Sequence, residues 1–452
     1  MPISFLYLGI MLAVICLWFM LLKRPIYESI FVSFAVLLFV TGTWRNVGAY
    51  ISEAFSTSLL YSMTVFTAMS IILTKTKIID GAVSIILALL GRVTGGAGYV
   101  AVLASSFMGA LSGSGPGNVM ATGPITIPAM IKSGFPKELA GNITSASSYL
   151  GNMIPPSANI VAALGAYTAL YPASGMTDSQ FWLVCWGCSL WFILQRLLTV
   201  YAFCKYYKVK PLSKEELPTV RQAIRTGWQG LLLPVIILLP FMLDYFLKDT
   251  FFTARLGADG AKYFSKSLLY CIAGVATFFA ILVCKNKKDV TPHAMAKLFA
   301  EKVKSICPTV GACIFGYMVG AMFVDLNVSA DLEGFITALD MSRLGLSLFI
   351  PLFCCFITMI IPGSSVVVLF GPVFISLFTA VGAEPIMVAA MLPCICGVMC
   401  GITPPLALGM YAGMSLSGAD FGKTVKNDLW WVALQYILEV VILMGWLPIL
   451  GL

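Results

Sequence analysis

The chain has 452 residues, 59% of them hydrophobic and only 11% charged, with a mean hydropathy of +0.94. Soluble domains carry about 25% charged residues, so this composition excludes two or three soluble domains and points to one polytopic body in the lipid bilayer. The formal charge of +8 lies in short loops rather than on one face, which speaks against nucleic-acid binding.

The first apolar run is Phe5–Leu22. No basic segment precedes it, and Lys23 and Arg24 follow it, so a retained span with a cytoplasmic end is expected rather than a signal peptide. Glu28–Thr43 is the second span. Ser58–Thr74 is the third and ends on Lys75 and Lys77.

Residues 97–131 differ from these. They contain "SGSGPGNVMATGPITIPAM", Ser112–Met130. Gly115-Pro116-Gly117 cannot continue a helix, because proline lacks an amide donor and glycine is permissive. Arg92 lies at one end and Lys132 and Lys137 at the other. Both ends are therefore expected on the cytoplasmic side, which makes the segment a re-entrant hairpin with its tip at 112–118. "GNMIPPSAN", Gly151–Asn159, then reads as a helix, a break at Pro155-Pro156, and a new helix with Ser157 in its first turn. Cys185 and Cys188 stand in "LVCWGCSLW" and read as small packing residues of a lipid-type helix.

From Arg196 to Arg225 there are seven basic residues against two acidic ones, and from Lys285 to Lys304 six against two. The Lys/Arg bias places both stretches in the cytoplasm. Leu231–Leu247 and Ser267–Cys284 cross out and back between them, leaving 248–266 external as a weakly charged connector.

The second half repeats the first. "GPVFISLFTAVGAEP", Gly371–Pro385, resembles "GPITIPAMIKSGFP", Gly123–Pro136; "IPGSSVVV", Ile361–Val368, precedes it, and "ITPPLAL", Ile402–Leu408, follows. Gly123 to Pro155 is 32 residues, and Gly371 to Pro404 is 33. The first copy opens with a span ending on lysines. The second opens with Ser305–Val324 and ends on Asp325, Asp331 and Glu333. The copies therefore run in opposite directions. The expected fold is an all-α polytopic membrane protein, an inverted-topology repeat with two re-entrant hairpins and two broken helices. Its parts are 1–57, 58–205, 206–304 and 305–452. Inverted repeats of this kind mark secondary transporters, with the site where broken helices meet.

Irregular backbone survives at membrane depth only where protein or a cavity surrounds it. Half-helix C-termini offer carbonyls to a cation, and N-termini offer amides to an anion. Two cation sites are expected: Ser112, Gly113, Ser114 and Asn118 with Pro155, and Gly363, Ser364 and Ser365 with Gly401, Thr403 and Pro404. An anion site lies between them, formed by Ser114, Pro156, Ser157, Asn159, Ser365 and Pro405. Four packed helix kinks are the plainer alternative. Sodium is favoured over a proton, because a proton route needs titratable groups in the membrane. The candidates are Asp244 and Asp325 near span ends and Glu439 within the last helix; His293 stands in the basic loop.

"FMGALSGSGPGNVMATGPITIPAMIKSGFP" with "GNMIPPSAN", and "CGITPPLALGMYAGMSLSGADFGKT" near the end, resemble the large membrane subunit of tripartite ATP-independent periplasmic (TRAP) transporters, part of the ion transporter superfamily. The resemblance covers roughly residues 58–165 and 300–425. It implies a fixed scaffold and a moving elevator part, built from both hairpins and both broken helices. It implies sodium-coupled uptake of a small organic acid across a bacterial or archaeal cytoplasmic membrane, with no cofactor beyond the coupling ion. A periplasmic binding protein and a small membrane subunit would be partners. "IIPGSSVVV", with Pro362 and serines, is closer to the branch served by TAXI-type binding proteins. The family's Phe-Thr-Pro-Thr-Glu-Ala segment is replaced by "FFTARLGADGA". A stand-alone carboxylate carrier of the same superfamily is the alternative. An intramembrane hydrolase would need a base beside its serine, and the single histidine lies in a cytoplasmic loop. A channel would need a filter that the chain does not display.

Overall fold

The computed structural model describes the chain except residues 1–2, 57, 113–114, 156, 173, 175, 214, 216, 329–330, 332–340, 360–362 and 405–406. Regular structure among the described residues is entirely helical. Helices α1 (Ile3–Cys16) and α2 (Ile26–Thr41) pack on each other across the Lys23-Arg24 turn. Next come α3 (Val47–Ser56), α4 (Ser58–Thr76) and α5 (Ile78–Leu90).

The rest of the first copy, which opens with α4, follows. It has a hairpin of α6 (Gly96–Ser112) and α7 (Gly115–Ser133), then α8 (Lys137–Leu150), a tight turn at Gly151–Met153, and α9 (Ala158–Leu170) after the break. The long α10 (Asp178–Tyr206) completes it. A capping box begins α10: the Thr177 side chain accepts from the Gln180 N–H, and the Gln180 side chain accepts from the Thr177 N–H.

Two long helices connect the copies, α11 (Val220–Leu247) and α12 (Thr253–Val283), and α13 (Pro292–Asp325) opens the second copy as α4 opens the first. The second copy repeats the element order. Its hairpin is α14 (Arg343–Thr358) and α15 (Gly363–Ala380). Its broken helix is α16 (Pro385–Gly397), a turn at Met399–Gly401, and α17 (Leu408–Ser417). The long α18 (Phe421–Leu443) follows.

Hydrogen bonds hold the base of each hairpin. The Leu212 N–H donates to the Gly91 carbonyl at 3.2 Å and the Lys210 N–H to Ser133 at 2.8 Å. The residues just before α6 and at the end of α7 are thus joined to one short segment, so the pair turns back where it began. In the second copy Arg343, which opens α14, donates to the Gly382 carbonyl just past α15 at 3.3 Å. By length and composition alone Gly363–Ala380 could cross a membrane; its tie to the start of α14 makes it a hairpin arm instead.

Five helical legs, α8–α9, α10, α11, α12 and α13, lie between the hairpins among the described residues, and an odd number of legs is what an inverted relation between the hairpins requires. Lys75, at the end of α4, pairs with Asp289 at 3.3 Å, so the two basic ends read as cytoplasmic share one side. At the other end of α13, Asp325 accepts from Tyr50 and from Asn46.

Three expectations are revised. Arg196, counted among loop charges, is fully buried inside α10; its guanidinium is held by side chains of the bundle rather than by water. The connector 248–266 is helical on either side of a kink at Gly257, whose φ of 74° and ψ of 170° are not helical, with a wide turn at Lys248–Phe252 leading into α12. The boundary at 304/305 falls inside α13, because Thr291 caps that helix with Pro292 in its first turn and the amphipathic start runs unbroken into the span.

The two broken helices are central. Every residue of α8 from Leu139 to Leu150 is buried, as is every residue of α16 from Met387 to Gly397. In α8 that includes Asn142, Thr144, Ser145, Ser147 and Ser148.

Candidate functional site

At the first tip, α6 ends at Ser112 and α7 starts at Gly115. Gly113 and Ser114 lie outside the described residues, as does the side chain of Ser112. Asn118 is fully buried one turn into α7. Its Nδ2 donates to the Ser105 carbonyl at 2.6 Å, joining the hairpin arms, while its Oδ1 has no hydrogen-bond partner. The Thr122 hydroxyl donates to the Asn118 carbonyl at 2.9 Å and lies 3.0 Å from that of Ser105.

This tip packs tightly on the first break. A Cβ built on Gly151 would sit 2.2 Å from the carbonyl carbon of Gly109, and one on Gly109 would sit 2.4 Å from the Ser148 carbonyl. Only glycine at both places lets the backbones meet. The hydroxyls of Ser147 and Ser148 are buried without partners.

At the first break, Pro155 is buried and Pro156 lies outside the described residues. Ser157 is the N-cap of α9: its hydroxyl accepts from the Asn159 N–H at 3.2 Å and donates to the Asn152 carbonyl at 2.7 Å. The Met153 carbonyl accepts from Ser189 at 2.7 Å. The amide N–H groups that open α9 form the positive end of a half-helix.

At the second tip, Gly363 starts α15, and a Cβ there would meet the Cys396 carbonyl at 2.0 Å. Ser364 is half-buried and Ser365 buried. At the second break, the Thr403 hydroxyl donates to the Met399 carbonyl at 2.9 Å and keeps its lone pairs. Pro404 is half-buried, and Pro405 lies outside the described residues. The residue before α17, Ala407, has φ of 22°, a backbone region costly for a side chain and found where surrounding structure enforces it.

All four stretches meet in one place. A Cβ on Gly397 would lie 3.7 Å from Asn152 Nδ2 and 3.8 Å from Asn159 Nδ2, so the two breaks face each other. The Tyr149 ring joins the rest. Cβ atoms built on Gly115, Gly401 and Gly409 would each lie 2.2–2.4 Å from it. The ring therefore spans from the first tip to the second break, seated on three positions that admit no side chain.

Sequence reasoning passed over Tyr149, Asn152, Ser147 and Ser148. Asn152 stands within "GNMIPPSAN", where its place beside the prolines was the available signal; nothing local marks Tyr149. Glu439 is not isolated either. Gln435 Nε2 donates to its Oε1 at 2.8 Å, Cys394 of α16 donates to the same oxygen at 3.3 Å, and Arg196 donates to Gln435 Oε1 at 2.8 Å. Asp244 accepts from Ser179 at 2.5 Å and Ser265 at 2.6 Å, which ties α10, α11 and α12 together.

A helical, multi-pass body with broken half-helices converging in its interior is the architecture of a membrane permease, a transporter rather than an enzyme. The sequence profile of the tripartite ATP-independent periplasmic transporter DctM component matches residues 8–450, and the chain belongs to that family, the large permease subunits of TRAP systems. It is 24% identical over 428 residues to the C4-dicarboxylate TRAP transporter large permease protein DctM of Pseudomonas aeruginosa, covering 92% of this chain and 91% of that one. It is 24% identical to the sialic acid TRAP transporter large permease protein SiaM of Vibrio cholerae, over 89% and 88% of the two chains. The solved structure of Neisseria gonorrhoeae MtrF, described as an antimetabolite efflux pump, shares the fold with a TM-score of 0.67 at 13% identity, over 91% of this chain and 87% of that one.

Proposed function

We propose that this permease imports a small organic acid across the cytoplasmic membrane, driven by sodium, with both hairpins and both broken helices moving as one elevator body. The relatives named for C4-dicarboxylates and sialic acid support an acid as substrate. A periplasmic binding protein would deliver it, and a small membrane subunit would brace the fixed helices.

The observation that carries this reading is the meeting of two tips and two breaks around Gly397, Asn152, Asn159 and Tyr149. Half-helix N-termini at α9 and α17 suit a carboxylate. Oxygens at the flanking tips suit a hard cation: the free Oδ1 of Asn118 on one side, and Ser364, Ser365 and Thr403 on the other. The packing of both breaks through glycines suits motion as a unit, since neither tip can separate from its broken helix without opening a void.

The test is uptake of a panel of radiolabelled carboxylates into proteoliposomes, with and without the soluble binding protein. Uptake should require an inward sodium gradient and added binding protein, and should persist when the proton gradient is collapsed. Uptake driven by pH alone would remove sodium from the mechanism. Uptake at full rate without a binder would make this a stand-alone carrier.

A further inference from the structure

Asp428 and Asn142 form a buried polar pair away from the four broken stretches. Asp428 lies in α18 one turn after Thr424, and α8 packs against both. Asp428 is 2% exposed and Asn142 1%. Asn142 Nδ2 donates to the Thr424 carbonyl at 3.0 Å. The Asn142 Oδ1 has no partner, and neither carboxylate oxygen of Asp428 has one of ordinary hydrogen-bond geometry. Asn142 is thus held one turn from Asp428 by its bond to Thr424, and no salt bridge reaches Asp428 among the described residues. Lys423 and Lys426, on the same helix, are exposed. A further unpartnered oxygen is close by: the Ser417 hydroxyl, at the end of α17, is 3.2 Å from a Cβ built on Gly141, the neighbour of Asn142.

An ionised carboxylate removed from water without a counter-charge is strongly disfavoured. A neutral acid would remove the charge but donate through one oxygen only, leaving its other oxygen unpartnered. A cation removes the charge and can be shared by both carboxylate oxygens and by the unpartnered Asn142 Oδ1. Carboxylate, amide and hydroxyl oxygens are the ligands that hard cations take. We propose that Asp428, with Asn142 as the second residue of the site, binds a monovalent metal cation at a place separate from the hairpin tips. This rests on the sodium reading above and adds an ion to it. The site joins α8, in the middle of the bundle, to α18, so an ion there would tie the first broken helix to the last long helix.

Equilibrium binding of radioactive sodium to the purified full chain, counted per chain at saturation, tests the proposal. Asp428→Asn should bind one ion fewer than the parent. Asn142→Ala keeps the carboxylate and loses a supporting oxygen, so its half-saturating sodium concentration should rise about fivefold or more. Should Asp428→Asn fail to fold, Asn142→Ala decides alone. A parent that binds no sodium overturns the coupling-ion reading and this site together. A parent that binds sodium while Asp428→Asn, or in its absence Asn142→Ala, binds it equally well overturns this site alone. A variant that keeps its sodium count and loses only a pH-dependent step would make Asp428 a proton carrier and overturn the proposal.

Discussion

Gly123 of the first hairpin lies against Leu416 of the second broken helix: a Cβ built on the glycine would sit 2.5 Å from the leucine Cδ1. Gly371 holds the equivalent place in the second hairpin, and a Cβ there would sit 2.9 Å from Ala166 of the first broken helix. Each hairpin thus leans on the other copy's broken helix, as a twofold relation between inverted copies requires. The exchange makes one body of four segments that are scattered over some three hundred positions of chain.

Enlarging either glycine should separate a hairpin from its partner. Gly371→Val overfills a contact with Ala166 and Leu392 and is expected to cost about 1–3 kcal/mol. Gly123→Ala should be milder, since Leu416 can turn its side-chain end away. Thermal unfolding of the two variants in detergent reads the difference. Equal midpoints would show that the exchanged contact does not hold the copies together.

Tyr149 is predicted to matter through its ring. Tyr149→Ala empties space against three glycines and should cost about 3–5 kcal/mol, the range for loss of a buried aromatic side chain. Tyr149→Phe should retain most of that stability. If both variants unfold alike, the hydroxyl rather than the ring is the working part.

The proposed cation sites predict a sodium phenotype separable from stability. Asn118→Ala and Ser364→Ala each remove an oxygen near a tip and should weaken sodium binding by about 1–3 kcal/mol, a fivefold to hundredfold shift. The measurement is the sodium concentration that gives half-maximal uptake, in protein that inserts at normal levels. Unchanged values for both variants would leave the tips as packed kinks.

The Arg196–Gln435–Glu439 chain predicts that single changes harm more than paired ones. Arg196→Ala leaves Gln435 and Glu439 with an unbalanced charge and should cost about 3–5 kcal/mol. Arg196→Met with Glu439→Gln removes both charges and should recover much of the loss. A double variant no more stable than the worse single one would separate Arg196 from Glu439.

Topology is checked by cysteine labelling in a cysteine-free background. Lys297→Cys should be protected from impermeant reagent added outside intact cells, and Asp259→Cys should react. Labelling of position 297 from outside would mean that the second copy runs the same way as the first.

The hairpins, the breaks, their repetition and their opposite directions are legible in the sequence because each rests on local backbone physics or on a charge count. Single prolines are carried inside helices here, as at Pro124, Pro128 and Pro234, but prolines paired or flanked by glycine withdraw donors and loosen the backbone together, so 112–118, 155–156 and 404–405 announce themselves. Lysine clusters mark the cytoplasmic side whatever the bundle does. The partnerships are another matter. Arg196 looks like a loop charge until Gln435, 239 positions away, accepts from it. Asn142 and Thr424 meet across 282 positions. The small polar residues of α8 look like a surface, yet from Leu139 to Leu150 the helix is enclosed on every side. Tyr149 reads as an ordinary aromatic until three glycines from two copies close on its ring. These contacts depend on which distant helices come together, and no single window of chain carries that information, because burial and pairing are properties of the packed bundle and not of any one segment within it.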